Sequence, residues 1–256
     1  MEVSLEIVPR AVSSLREDAE TSRLYPAISC INIPDLPRFS IRSWDACATV
    51  KAVRNDSGAV FIPHLRARDF SLNEPFPLTG FFREQGIRRA LVITGDPEPG
   101  VADNDAGSCT IAFIRKIKAE LPELEIYAAF DPYRTNIRYE LDYLAAKEAA
   151  GASGFMSQPF FDLRLLEIYA EYLGGKNIFW GIAPVLTAGN QQYWESRNRA
   201  IFPRSFRLDI AWNAAFARRA MDYCRRNGFN LYLMPIKVDL KTYLSGIWTE
   251  SELSAE

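Results

Sequence analysis

The sequence predicts an α/β fold, a single (β/α)8 barrel over residues 1–256, from three observations. Eight short apolar or β-branched runs recur along the chain. Amphipathic stretches of helical period lie between them, and no Ser/Gly-rich linker, charge block or low-complexity tract divides the chain. A doubly wound open sheet competes with the barrel. Against it, no GxGxxG follows the first run, and eight regular units close more naturally than they stay open.

The first strand is VSLEIVP (3–9), whose apolar run is interrupted by Glu6. ISCINIP (28–34) carries Asn32, and VFIPHL (60–65) carries His64 after Pro63. ALVITGD (90–96) is apolar from Ala90 to Ile93 and closes on Gly95 and Asp96, the pattern of a strand buried on both faces that ends in a turn. EIYAAFDP (125–132) ends at Asp131, and GFMSQPFF (154–161) carries Gln158 among aromatics. NIFWGIAPVL (177–186) and LYLMPI (231–236) complete the series. Helical patterns fall between the runs, as in SCTIAFIRKIKAEL (108–121), YELDYLAAKEAA (139–150) and DIAWNAAFARRAMDYCRRNG (209–228). In the last, Ile210, Ala214, Ala217 and Met221 share one stripe, the arginines at 218, 219, 225 and 226 lie off it, and Gly228 is placed as the C-cap.

Composition narrows the function classes. Hydrophobic residues make up 48% and charged ones 24%, enough for a large core. A net charge of -2, from 30 basic and 32 acidic residues, leaves no footprint for nucleic acid or an anionic membrane. The apolar runs are of strand length, short of the roughly 20 residues of a membrane helix. MEVSLEIVPR has no basic segment leading into an apolar one, so a cytoplasmic protein is expected. Cys30, Cys47, Cys109 and Cys224 are scattered without metal-like spacing and read as buried reduced thiols. His64 is the sole histidine, which removes His-based zinc chemistry, and no metal site is expected. No GxSxG elbow is present, so hydrolase readings are weak.

A barrel of this kind works at the carboxyl ends of its strands. The polar residues there are Glu6, Asn32, His64, Asp96, Asp131 and Gln158. Glu6 is the most telling, because a charge inside an apolar run is costly unless it is paired or kept neutral. A glutamate in a dry pocket has the raised pKa a general acid needs; the alternative is a carboxylate paired with an arginine. Gln158 reads either as a satisfied core amide or as an orienting donor to a heterocycle. His64 reads equally as a histidine satisfied by a backbone carbonyl.

Taken in order, these fragments resemble the methylenetetrahydrofolate reductase family, flavin-dependent TIM barrels of one-carbon metabolism. VSLEIVPR resembles its opening strand, IPHLRARD its Pro-His-Leu strand and LVITGDPE its Gly-Asp-Pro strand. YAAFDPYR is similar to the end of strand 5 and IFWGIAPVLT to strand 7; KEAAGASGFMSQPFFD is the most specific block. The resemblance implies an oxidoreductase that interconverts 5,10-methylenetetrahydrofolate and 5-methyltetrahydrofolate by hydride transfer at flavin N5. It implies Glu6 as general acid and Asp96 as the group between flavin and pterin. Gln158, Asn190 and Trp194 would then bind folate, and Ser43, His64, Thr94, Gly95, Asp96, Phe130, Glu140 and Lys147 would hold FAD. Lys147 is expected near the phosphates and Glu140 near a ribose hydroxyl. NADH or NADPH is an open choice of donor, and a homo-oligomer is left open. Thr94 stands where the family often has an arginine, and Tyr143 and Ala146 replace polar or basic residues, so flavin binding is expected to be loose. The rival reading is a non-catalytic or partner-dependent barrel that binds folate or flavin.

Overall fold

The computed structural model describes residues 1–54, 58–95 and 106–248, with the main chain alone at 106–109. Eight parallel strands pair in chain order and close, β1 against β8: β1 (Val3–Glu6), β2 (Ile28–Ile33), β3 (Val60–Arg66), β4 (Arg89–Ile93), β5 (Glu125–Phe130), β6 (Gly154–Pro159), β7 (Ile178–Ile182) and β8 (Asn230–Leu233). Outside them lie α1 (Val12–Arg23), α2 (Ser43–Arg54), α3 (Thr79–Gln85), α4 (Ala106–Glu120), α5 (Ile137–Ala149), α6 (Leu163–Tyr172), α7 (Ala188–Asn198), α8 (Ile210–Asn227) and α9 (Leu240–Ile247). The chain is a (β/α)8 barrel. No helix among the described residues is long and apolar enough to cross a membrane.

Every predicted run becomes a strand, but most strands end before their apolar runs do. Pro9, Pro34, Pro132, Pro184 and Pro235 each lie one to three residues beyond a strand. Proline has no N–H to give the ladder, so the chain leaves the sheet there and turns across the mouth. Asp131 therefore sits on a loop rather than on β5.

Strand alternation divides the apolar residues into two layers. Leu5, Ile31, Leu65, Val92, Ala128, Phe130, Phe155, Trp180 and Leu233 face the helices. Cys30, Ile62, Leu91, Tyr127, Met156, Phe179 and Tyr232 fill the barrel interior. The stripe on α8 packs as its spacing predicts, with Ala214, Ala217 and Met221 buried, and Gly228 caps the helix at φ 69°. Side-chain caps start the later helices: Asn136, Asp162, Thr187, Asp209 and Asp239 each accept from a backbone N–H in the first turn of α5 to α9. Cys30, Cys47 and Cys224 are buried free thiols, and the Cys109 side chain lies outside the described residues.

Candidate active site

A cavity of about 250 Å³ opens at the carboxyl end of the strands, over β1, β2, β7 and β8. Glu6 and Val8 line it, with Pro34, Leu36 and Arg38 from the loop after β2, and Pro184 after β7. Asn190, Tyr193, Trp194 and Asn198 face it from α7, and Ile236 and Lys237 from the loop after β8. A larger cavity of about 480 Å³ lies at the opposite end, beside Val60, Arg89 and Glu125 at the strand starts. There Arg89 bonds Glu2 and Glu125 at 2.7 Å each, which ties the barrel floor together; chemistry in barrels of this kind belongs to the other face.

Glu6 ends β1 with its side chain directed inward. Its hydrogen-bond partner is not an arginine but Tyr232 of β8, whose Oη donates to Glu6 Oε2. Ser4 and Tyr232 are register partners across the β1–β8 seam, so the donor sits one inward step below the carboxyl. Burial outweighs this bond and raises the Glu6 pKa to about 7. The same burial, together with the carboxyl, holds the Tyr232 phenol well above its ordinary value. Burial thus favours the protonated form of Glu6 well above the usual carboxylate range, and its edge reaches the cavity.

Beside it, a polar chain crosses the interior. Asn32 Nδ2 donates to Ser4 Oγ at 2.5 Å, which leaves Asn32 Oδ1 to accept from His64 Nε2 at 3.1 Å. The assignment of the amide makes His64 the Nε2–H tautomer. Burial lowers its pKa to about 3, so the ring is neutral. Ser43, the first residue of α2, donates to the His64 carbonyl at 2.6 Å, and its N–H is held by Asp35. His64 is satisfied by a side-chain amide rather than by a backbone carbonyl.

The structure brings Glu6, Asn190 and Trp194 to one cavity. Thr187 caps α7, which sets Asn190 and Trp194 four residues apart on the same face. Trp194 packs edge-on against Phe161, and Asn190 Oδ1 accepts from Lys237 Nζ at 3.3 Å. Gln158 is half-buried two residues beyond the inward-facing Met156, on the β5–β6 side of the mouth, and does not line this cavity. Asp96 lies outside the described residues.

The remaining positions assigned to the cofactor cluster by β3, β4, β5 and α5. Glu140 is buried, accepts from Arg134 at 3.0 and 3.2 Å and receives the Asp131 N–H at 3.0 Å. Lys147 is also buried and donates to the Ala129 carbonyl at 2.5 Å. Burial, then the charge of Arg134, lowers its pKa to about 7. The Tyr143 ring lies between the two cations, 3.9 Å from Lys147 Nζ and 4.9 Å from the Arg134 guanidinium. Thr94 bonds Thr110 at 3.0 Å. Gly95 adopts φ +86°, and a Cβ there would stand 2.9 Å from Arg66 Nε. The Phe130 side chain points away from the mouth, into an aromatic layer with Phe160, Tyr169 and Trp180.

Sequence reasoning did not find Tyr232, Arg134 or Lys237. The signal for Tyr232 was a hydroxyl at an inward position of LYLMPI, meaningful only once β8 is known to pair with β1. Lys237 carries a signal visible only in the backbone, a non-glycine residue at φ 54°.

A family model described as methylenetetrahydrofolate reductase matches residues 40–213, about two thirds of the chain. The match runs from just before α2 into α8 and leaves β1, β2 and β8 outside. Among solved structures, the chain is similar to oxaloacetate acetylhydrolase at TM-score 0.58 and 11% identity, covering 92% of this chain and 75% of that one. It is also similar to 2,3-dimethylmalate lyase, a PEP mutase/isocitrate lyase superfamily member, at TM-score 0.54 and 12% identity, covering 99% and 90%. At such identities these two share the fold alone.

Proposed function

Since the chain belongs to the methylenetetrahydrofolate reductase family, we propose that it interconverts 5,10-methylenetetrahydrofolate and 5-methyltetrahydrofolate, with Glu6 as the general acid and base. The family supports an enzyme and a folate-related oxidoreductase; the residue roles are our own reading. One observation carries it: a carboxyl with a pKa near 7 at the edge of a cavity on the barrel's working face. In the reducing direction Glu6 gives its proton to N10 as the methylene bridge opens, leaving an N5-iminium at the one-carbon unit. In reverse the carboxylate takes that proton back. Tyr232 positions the carboxyl and favours its charged form. Trp194 and Tyr193 offer flat faces to a pterin, Asn190 offers an amide, and Arg38 and Lys237 offer cations to the carboxylates of a glutamyl tail. Gln158 would act from the far side of the mouth.

Members of the family are generally flavin-dependent, and the resemblance implies FAD. The described residues that would hold it do not fit that task. Lys147 and Glu140 are buried, with their polar atoms bound to Ala129, Arg134 and Asp131, and the Tyr143 ring fills the space beside Lys147.

The rival is a barrel that binds folate without turning it over. A mere binder has no use for a carboxyl poised to exchange a proton, which favours the enzyme. Incubating the protein with methylenetetrahydrofolate and NADH or NADPH, and following methyltetrahydrofolate by chromatography, tests the choice. Tight folate binding without product formation would leave the binder.

A further inference from the structure

We propose that this protein keeps no resident flavin and that hydride passes directly from a soluble dihydronicotinamide to the one-carbon unit while both are bound. The inference rests on the folate-reductase reading above.

Its ground is how the seven described cofactor positions are used. Ser43 Oγ is spent on the His64 carbonyl and the His64 ring on Asn32. Thr94 is bonded to Thr110, and Gly95 lies beneath Arg66. Phe130 faces the helices, Glu140 is locked to Arg134, and Lys147 is turned into the β5 carbonyl at Ala129. A diphosphate needs exposed cations or N–H groups, and a ribose needs an exposed acceptor. The two charged positions meant for those tasks are instead buried and satisfied by each other's neighbours. Admitting a dinucleotide here would break the Glu140–Arg134 pair and uncover a buried lysine.

The other half of the mouth is open. Its cavity combines the poised Glu6 with the exposed ring of Tyr193 and the cations Arg38 and Lys237. Converting the methylene bridge to a methyl group needs one hydride, at the iminium carbon, and one proton, at N10. Glu6 supplies the proton, and a dihydropyridine is the soluble class of donor that gives up both electrons as one hydride. The C4–H bond of the donor breaks with its electron pair and a C–H bond forms at the iminium carbon. The bridge electrons stay on N10, which takes the proton of Glu6; the donor leaves as a pyridinium, and solvent reprotonates Glu6. Each turnover consumes one dihydronicotinamide and one proton.

The test uses [4,4-²H₂]NADH and [4,4-²H₂]NADPH with methylenetetrahydrofolate in ordinary water, without added flavin. Direct transfer predicts one deuterium per methyl group formed, double-reciprocal lines that intersect, and a rate that added FAD or FMN leaves within twofold. Hydrogen on a reduced flavin N5 exchanges with solvent. A methyl group carrying mainly solvent hydrogen, parallel lines, or a rate that requires added FAD would overturn direct transfer while leaving the folate-reductase reading intact. Absence of methyl product with either donor, and also with FAD and dithionite supplied, would overturn both.

Discussion

Tyr232 Oη donates to Glu6 Oε2 across the seam where β8 closes on β1. The bond couples the two ends of the chain at the point where the proposed chemistry needs a proton. It pulls the Glu6 pKa down while burial pushes it up to about 7, and burial wins.

Replacing Glu6 with Gln keeps shape and removes the transferable proton. Conversion of methylenetetrahydrofolate is expected to fall by roughly 10²–10⁴-fold, the usual loss for acid–base catalysis. Folate binding should persist. Wild-type loss of the proton above pH 7 should appear as a limb in which the reductive rate falls about tenfold per pH unit, and Glu6→Gln should lack that limb. Initial rates between pH 5.5 and 9 check both; a wild-type rate from Glu6→Gln would remove the acid role.

Tyr232→Phe deletes the donor and leaves the ring. Because the bond favours the carboxylate, the limb should move to higher pH, by about one unit for a hydrogen bond to a charged group worth ~1.5 kcal/mol. The comparison is the pH–rate profile of the two proteins at matched folate saturation. An unmoved limb would mean the tyrosine serves packing only.

The same carboxyl leaves a mark on stability. Its folded pKa near 7 exceeds the ordinary value of 4.5, so between those pH values the folded state holds more protons than the unfolded chain. Folding therefore loses stability as pH rises through that window. Glu6→Gln should raise Tm at pH 8 and change it little at pH 4.5. Differential scanning calorimetry at the two pH values checks the sign.

Arg134→Met should destabilise strongly, by about 3 kcal/mol, because it strands the Glu140 carboxylate, 1% exposed, without its counter-charge. The Met stem keeps contact with the Tyr143 ring, so the loss would report the charge. Urea titration with an unchanged m-value would support that reading.

At Gly181, near the carboxyl end of β7, an added Cβ would stand 2.5 Å from both the Ser157 carbonyl and Met234 Cε, and 3.0 Å from the Gln158 carbonyl. Gly181→Ala should cost about 1–3 kcal/mol as the strands part to admit it. It should also weaken folate binding by moving β6. A folate affinity unchanged by the substitution would place Gln158 outside the site.

The barrel was legible because parallel strands covered on both faces must be apolar throughout, and eight such runs stand out between amphipathic segments. Strand ends were less legible, since VSLEIVP and NIFWGIAPVL stay apolar after their strands stop, and the prolines that stop them were read as part of the runs. Glu6 stood out as a charge where the run allows none, but its partner did not. The Glu6–Tyr232 bond joins positions 226 residues apart, and only closure of the sheet brings them together. Glu140 and Lys147 were found as residues, but the partners that bury them were not. Nothing in YELDYLAAKEAA says that Arg134, from the preceding loop, folds back onto Glu140.

The Arg134–Glu140–Lys147 cluster also constrains how this barrel can change over generations. Each member holds a neighbour's charge or polar group, so replacing one of them strands the others. Several substitutions would have to arrive together, and the intermediates would fold less well than either end. A new co-substrate would be admitted more readily at the open half of the mouth than within this cluster. The lock works as a ratchet.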